Sequence, residues 1–122
     1  MDVIIADDSK AMRMLVLRAL RHAGFSVTAR EAADGKEALE LVKESVPDLI
    51  LSDWNMPVMN GYELVCAVRA NVLLSHIRIM MVTTETSITQ VEKALAAGAN
   101  EYLMKPFTKE QLLEKLTILG LI

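Results

Sequence analysis

Asp7, Asp8, Asp53, Thr83, Tyr102 and Lys105 are the residues of this chain whose types and spacing could do chemistry. The acid pair follows Val3-Ile4-Ile5-Ala6, Asp53 follows Leu49-Ile50-Leu51-Ser52, Thr83 follows Ile77 to Val82, and Lys105 follows Glu101 to Met104. Each preceding run reads as a β-strand. If those strands are parallel neighbours, three carboxylates, a hydroxyl and an ammonium converge at one end of one sheet. Gathered carboxylates repel one another, and a divalent cation relieves that cost. Mg²⁺ prefers octahedral oxygen ligation, uses one or two carboxylates, and keeps waters that a phosphate can replace. A lysine beside them neutralises phosphoryl oxygens as a point charge. The set suits binding Mg²⁺ and accepting a phosphoryl group on an aspartate.

The elements that must position these residues alternate along the chain. After the first strand, Ser9 offers an N-cap, and Met12, Leu15, Val16, Ala19 and Leu20 form an apolar stripe at helical spacing that ends at Gly24. Phe25 to Arg30 alternates like a second strand, and Asp34-Gly35 reads as a turn before a helix carrying Ala38, Leu39, Leu41 and Val42. Leu49-Ile50-Leu51 is the third strand, Tyr62 to Asn71 the third helix, and Ile77 to Val82 the fourth strand. Ser87 caps a fourth helix with Ile88, Val91, Ala94 and Leu95 inward, closed by Gly98. Glu101 to Met104 is the fifth strand, and Thr108 caps a last helix with Leu112, Leu113, Leu116 and Leu119 inward. Short, near-continuously apolar strands are covered on both faces. Strict strand–helix alternation implies a parallel sheet with right-handed crossovers. The expected architecture is a five-stranded, doubly wound α/β domain spanning residues 1–122. In strand order 2-1-3-4-5, ligands bind where the order reverses, between the first and third strands. Those strands deliver Asp7-Asp8 and Asp53.

Composition narrows the classes. The 122 residues are 52% apolar, enough for a sizeable core, and the formal net charge is −3. That balance argues against nucleic acid, whose phosphates require clustered Lys and Arg. Arg13, Arg18 and Arg21 fall at helical spacing and are expected on a solvated helix face. The single cysteine, Cys66, cannot form an intramolecular disulfide, which suits a reducing cytoplasm, and it reads as a packing thiol. The start lacks a signal-peptide pattern, and no apolar run approaches membrane-spanning length.

Other side chains have plainer readings. Trp54 is expected as a partly exposed neighbour of the site, useful as a probe. His22 and His76 have no convergent partner, and the eight methionines read as core filler. Tyr102 lies three residues before Lys105, so the two side chains should face opposite sides of the sheet.

Asp7-Asp8-Ser9, Asp53-Trp54-Asn55-Met56-Pro57, Asn60-Gly61, Thr83 and Lys105-Pro106-Phe107 fall in an order and spacing that resemble the receiver domain of two-component response regulators over essentially the whole chain. Within that family the pattern is most similar to single-domain chemotaxis regulators. The resemblance implies that Asp53 is the phospho-acceptor. It implies that Asp8 and Asp53 ligate Mg²⁺ directly, with Asp7 helping through water and the Asn55 backbone carbonyl completing the site. Lys105 and Thr83 would hold phosphoryl oxygens, and Thr83 and Tyr102 would form the switch that reshapes the fourth helix, fifth strand and fifth helix. Asn55 and Glu85 would tune the phosphoryl lifetime. Thr84 departs from the small residue usual in the family and would crowd the phosphoryl site.

The implied partners are a histidine kinase or its phosphotransfer domain, and a flagellar motor switch protein or a phosphatase. The implied state is a cytoplasmic monomer that catalyses only its own phosphorylation and dephosphorylation. A phosphorelay intermediate passing the group to another histidine, and a receiver cut from a larger regulator, remain alternatives. A haloacid dehalogenase-like phosphatase would want Asp-x-Asp after the first strand, where this chain has Asp7-Asp8-Ser9-Lys10. A flavodoxin would want a Ser/Thr/Gly-rich phosphate loop there, which two acids would repel.

Overall fold

The computed structural model describes residues 1–84 and 87–122. Five strands form one parallel sheet in the order β2-β1-β3-β4-β5. Along the chain they are β1 (Asp2–Ala6), β2 (Thr28–Ala32), β3 (Leu49–Ser52), β4 (Arg78–Thr83) and β5 (Glu101–Met104). The helices between and after them are α1 (Lys10–His22), α2 (Gly35–Glu44), α3 (Gly61–Arg69), α4 (Ile88–Ala97) and α5 (Lys109–Ile118). The central strands β1, β3 and β4 are buried almost throughout, while the edge strands β2 and β5 carry exposed and charged residues. Central strands need apolar side chains on both faces, whereas polar edges discourage pairing with another sheet.

Alternation along the strands splits the core in two. Ile4, Ile50, Ile79 and Met81 point to the side covered by α2, α3 and α4, where Val42, Leu64, Val65, Val68 and Ala94 pack. Val3, Ile5, Leu49, Leu51, Met80 and Val82 point to the other side, against Val16 and Leu20 of α1, Leu112 and Leu116 of α5, and Leu119 just past it. Each fully buried Leu or Ile side chain contributes roughly 1.5–3 kcal/mol by leaving water. The two layers together account for why five short strands suffice.

Caps mark the helix starts. Ser9, Asp34, Asn60 and Thr108 each accept a hydrogen bond from a backbone N–H of the first turn, and Asn60 and Thr108 do so within capping boxes with Glu63 and Gln111. Gly98 closes α4 with φ +118°, in the left-handed region that favours glycine.

Several boundaries differ from the sequence expectation. The second strand begins at Thr28 rather than Phe25, because its pairing partner β1 begins only at Asp2, opposite Thr28. Phe25 and Val27 instead pack from the preceding loop onto the α1/α5 layer. Asp34-Gly35 is the start of α2 and not a free turn. The third helix stops at Arg69 and passes into a 3₁₀ turn over Val72–Leu74. On α1, Leu15 leaves the expected inward stripe and is exposed, as are Ile88 and Leu95 on α4. Ala94 is the buried residue of α4, so this helix rests on the sheet through a narrow contact.

Candidate functional site

The carboxyl ends of β1, β3, β4 and β5 bring the expected residues together. Asp7, Asp8 and Asp53 each offer a carboxylate oxygen within 4.8 Å of the others. Asp7 is 5% exposed, Asp53 partly buried and Asp8 exposed, so the cluster runs from the interior to solvent. Lys105 reaches into it: its Nζ donates to Asp7 Oδ2 at 3.0 Å and to Asp53 Oδ2 at 3.4 Å. Three carboxylates and one ammonium leave a formal charge of −2. The oxygen donor set and that residual charge fit a divalent cation such as Mg²⁺.

Two of the three carboxylates are aimed by backbone. Asp7 Oδ1 accepts from the Ser9 N–H at 2.9 Å, and Asp53 Oδ1 accepts from the Trp54 N–H at 2.7 Å. The loops themselves are tied across strands: the Asp53 N–H donates to the Ala6 carbonyl at 2.9 Å, and the Lys105 N–H to the Thr83 carbonyl at 3.0 Å. Behind Asp53 the chain turns back so tightly that the Gly61 N–H donates to the Trp54 carbonyl at 2.8 Å. A Cβ on Gly61 would collide with the Asp53 carbonyl and lie 2.8 Å from Met81 Cε. The Asn60-Gly61 pair therefore serves two ends, with Asn60 capping α3 and Gly61 letting α3 start against the acceptor loop.

The remaining expected residues fall around this centre. Thr83 is fully buried at the end of β4, and Thr84 next to it is exposed. Register pairs Met81 with Tyr102 and Thr83 with Met104, so Thr83 and Tyr102 share the α3/α4 face of the sheet. Tyr102 packs against that layer with its hydroxyl oxygen shielded from solvent. Lys105 follows the end of β5, and the Lys105–Pro106 peptide is cis. Asn55 is exposed beside the cluster. Glu85 lies outside the described residues.

Three sequence expectations are corrected here. Trp54 is only 7% exposed: its indole joins the core and stacks on Tyr62, which the sequence pattern did not reveal. Cys66 is exposed and not a packing thiol. The nearby Cys66 thiol, one turn on, and then burial push the Tyr62 pKa up. Arg13 does not lie on a solvated face with Arg18 and Arg21. Its Nη1 donates to the Asp7 carbonyl at 2.7 Å and its Nε to Glu31 Oε1 at 2.9 Å, which braces the acid pair from α1 and β2. The six-residue step from Asp7 to Arg13 was the available signal for this contact.

An α/β sheet of this order with an acid cluster and a lysine at its switch point defines a class of phosphate-handling domain. The response regulator receiver domain model matches residues 3–117, and the chain belongs to that family. It is 43% identical over 116 residues to the chemotaxis protein CheY of Pseudomonas aeruginosa, covering 95% of this chain and 93% of that protein. It is 41% identical over 119 residues to chemotaxis protein CheY1 of Helicobacter pylori strain J99, covering 97% and 95%. The solved structure of the chemotaxis response regulator CheY4 of Vibrio cholerae matches with a TM-score of 0.85 at 42% identity, covering 97% of each chain. The chain is a phosphorylation-activated switch of two-component signalling.

Proposed function

We propose that this receiver takes a phosphoryl group onto Asp53 from the phosphohistidine of a histidine kinase or its phosphotransfer domain, in the cytoplasm, to control chemotaxis. The observation that carries the reading is the position of Asp53. Its carboxylate lies within 4.8 Å of two other carboxylates and 3.4 Å from the Lys105 ammonium, at the carboxyl end of the sheet. The names of the relatives support chemotaxis as the output. Among the described residues no helix is long and apolar enough to cross a membrane.

Asp7, Asp8, Asp53 and the Asn55 backbone carbonyl would hold Mg²⁺. When bound, the ion would screen the carboxylates from one another and from the incoming phosphoryl charge. The chain's own groups do the positioning, which together with charge neutralisation is most of what phosphoryl transfer needs. The Trp54 N–H fixes the plane of the Asp53 carboxylate. An Asp53 oxygen attacks phosphorus; the new O–P bond forms as the N–P bond of phosphohistidine breaks, and the imidazole keeps the electron pair. Lys105 swings from the carboxylates to the phosphoryl oxygens, and the Thr83 hydroxyl donates to another. Water ends the modification by attacking phosphorus: the Asp53 O–P bond breaks, the carboxylate keeps the electron pair and inorganic phosphate leaves, while Asn55, Thr84 and Glu85 set the access of that water. The dianion draws Thr83 toward it, and Tyr102, on the same face, transmits the change to α4, β5 and α5. A flagellar motor switch protein or a phosphatase would read that face.

The test is intact mass after incubation with acetyl phosphate, with and without Mg²⁺, beside Asp53→Asn. One added phosphoryl group that needs Mg²⁺ and disappears in Asp53→Asn is the expected result. An adduct that persists in Asp53→Asn would move the acceptor elsewhere.

A further inference from the structure

We infer that Tyr62 and Lys93 are positioning residues for Asp53, acting through a stacked column that joins α4 to the backbone amide holding the Asp53 carboxylate. The inference rests on the reading of Asp53 as the phospho-acceptor. Three contacts in series carry it. The Trp54 N–H donates to Asp53 Oδ1 at 2.7 Å. The Trp54 and Tyr62 rings stack with centroids 5.7 Å apart and planes 19° apart. The Lys93 ammonium sits 4.4 Å from the Tyr62 ring centroid.

The geometry gives the column leverage at both ends. Trp54 cannot shift freely, because its carbonyl accepts the Gly61 N–H at 2.8 Å while its ring lies in the core. The ring position and the direction of the Trp54 N–H are therefore set together. Tyr62 follows Gly61 directly, so the residue whose backbone closes the acceptor loop precedes the one whose ring covers the indole. At the other end, α4 buries only Ala94 and leaves Ile88 and Leu95 exposed, so few contacts fix its position. A cation over an aromatic face is among them. Any displacement of α4 moves Lys93 on Tyr62. By reciprocity, any change at Asp53 that moves the Trp54 amide alters the surface on which Lys93 rests. This route crosses the first turn of α3 and uses neither Thr83 nor Tyr102.

Cys66, one turn on, pushes the pKa of the Tyr62 phenol up. The ring and not the hydroxyl makes the column, so Tyr62→Phe should retain what Tyr62→Leu loses.

The experiment uses Lys93→Gln, Tyr62→Leu, their double variant and Tyr62→Phe. Two quantities are read: the rate of phosphorylation by acetyl phosphate with Mg²⁺, and the hydrogen-exchange rate of the Trp54 amide without donor or metal. Lys93→Gln and Tyr62→Leu should each slow phosphorylation about two- to fivefold, the size expected for loss of an exposed cation–π contact. Each should also speed exchange at the Trp54 amide. The double variant should be no worse than Tyr62→Leu alone, because Lys93 acts only through the ring. Tyr62→Phe should recover the wild-type rate. Independent, multiplicative effects, or unchanged Trp54 exchange in Lys93→Gln, would overturn the column. If the wild type takes up no phosphoryl group, the proposed function falls, and the exchange data still decide whether Lys93 controls the Trp54 amide. Lys93 is exposed, so its replacement tests the idea even if Tyr62→Leu fails to fold.

Discussion

Two long cations, Lys105 at the carboxyl end of the sheet and Arg69 at the amino end, are in opposite circumstances. At the carboxyl end Lys105 faces three carboxylates and satisfies two of them, which leaves the cluster at −2. At the amino end of β4 and β5 the guanidinium of Arg69 meets only neutral acceptors. Its Nε donates to the Gly98 carbonyl at 2.9 Å and its Nη2 to the Ile77 carbonyl at 2.6 Å and Asn100 Oδ1 at 2.8 Å. Its Nη1 reaches the Leu74 and Ser75 carbonyls at 3.2 and 3.3 Å. One side chain thus ties α3, the 3₁₀ turn, the residue leading into β4 and the α4–β5 loop. Burial, then the nearby Arg78, lowers the Arg69 pKa from its ordinary value. The Arg69 end is complete as it stands. The Lys105 end keeps an electrostatic deficit that a cation and a mobile anion can use.

The comparison breaks most visibly at Arg69. Arg69→Met strips the donors from a group of backbone carbonyls, several of them part-buried, and should cost about 2–4 kcal/mol of stability. Urea unfolding measures that loss. The phosphorylation rate of the molecules that remain folded should stay within roughly twofold of wild type, since no contact of Arg69 touches the acid cluster. Arg69→Lys should restore only part of the stability, because an ammonium cannot present the planar fork that serves five acceptors at once. A large rate loss in Arg69→Met with unchanged stability would erase the distinction between the two ends.

The carboxyl end should respond to ions where the amino end does not. Mg²⁺ at a hundred times its Kd should add about 2.7 kcal/mol to the wild type by mass action. Arg69→Met should gain the same increment from its lower baseline. Asp8→Asn should lose most of the increment and, in metal-free buffer, should be at least as stable as wild type, because one of three like charges is gone. Thermal unfolding with and without Mg²⁺ reads both effects. A metal-free Asp8→Asn that melts well below wild type would mean the acid cluster is not under repulsion.

The two ends were not equally legible in the sequence. Asp7, Asp8, Asp53, Thr83 and Lys105 each follow an apolar run, and a parallel sheet brings the ends of such runs together, so periodicity, with the strand order and the family resemblance, pointed to the site. Arg69 gave no such signal. Its acceptors are main-chain carbonyls, which every residue has, so nothing in their side chains marks them as its partners. Trp54 was misplaced for a related reason. A loop residue next to a polar site is ordinarily exposed, and only the tight turn at Gly61 brings Tyr62 over it. The second strand was shifted because alternation continues from Phe25 through Ala29, whereas pairing begins where β1 does. Side-chain periodicity reports burial; strand limits are set by the neighbour.

The smallest effect is expected at Thr84, where the resemblance anticipates a smaller residue. Thr84 is exposed beside the fully buried Thr83 and lines a groove of about 600 Å³ with Met12, Leu15, Lys105, Pro106 and Phe107. The groove opens onto the lysine that would meet the phosphoryl group, so a β-branched side chain at its rim narrows the approach for donor and for water. Thr84→Ala removes that bulk without touching any carboxylate. Phosphorylation by acetyl phosphate, or loss of the phosphoryl group, should become roughly threefold faster, a change of less than 1 kcal/mol in barrier. Stability should move by no more than about 0.5 kcal/mol, as for other exposed positions. Stopped-flow Trp54 fluorescence and phosphate release give the two rates. If neither changes, Thr84 is only a surface residue, and the pace of the switch is set deeper in the site by Lys105 and the acid cluster.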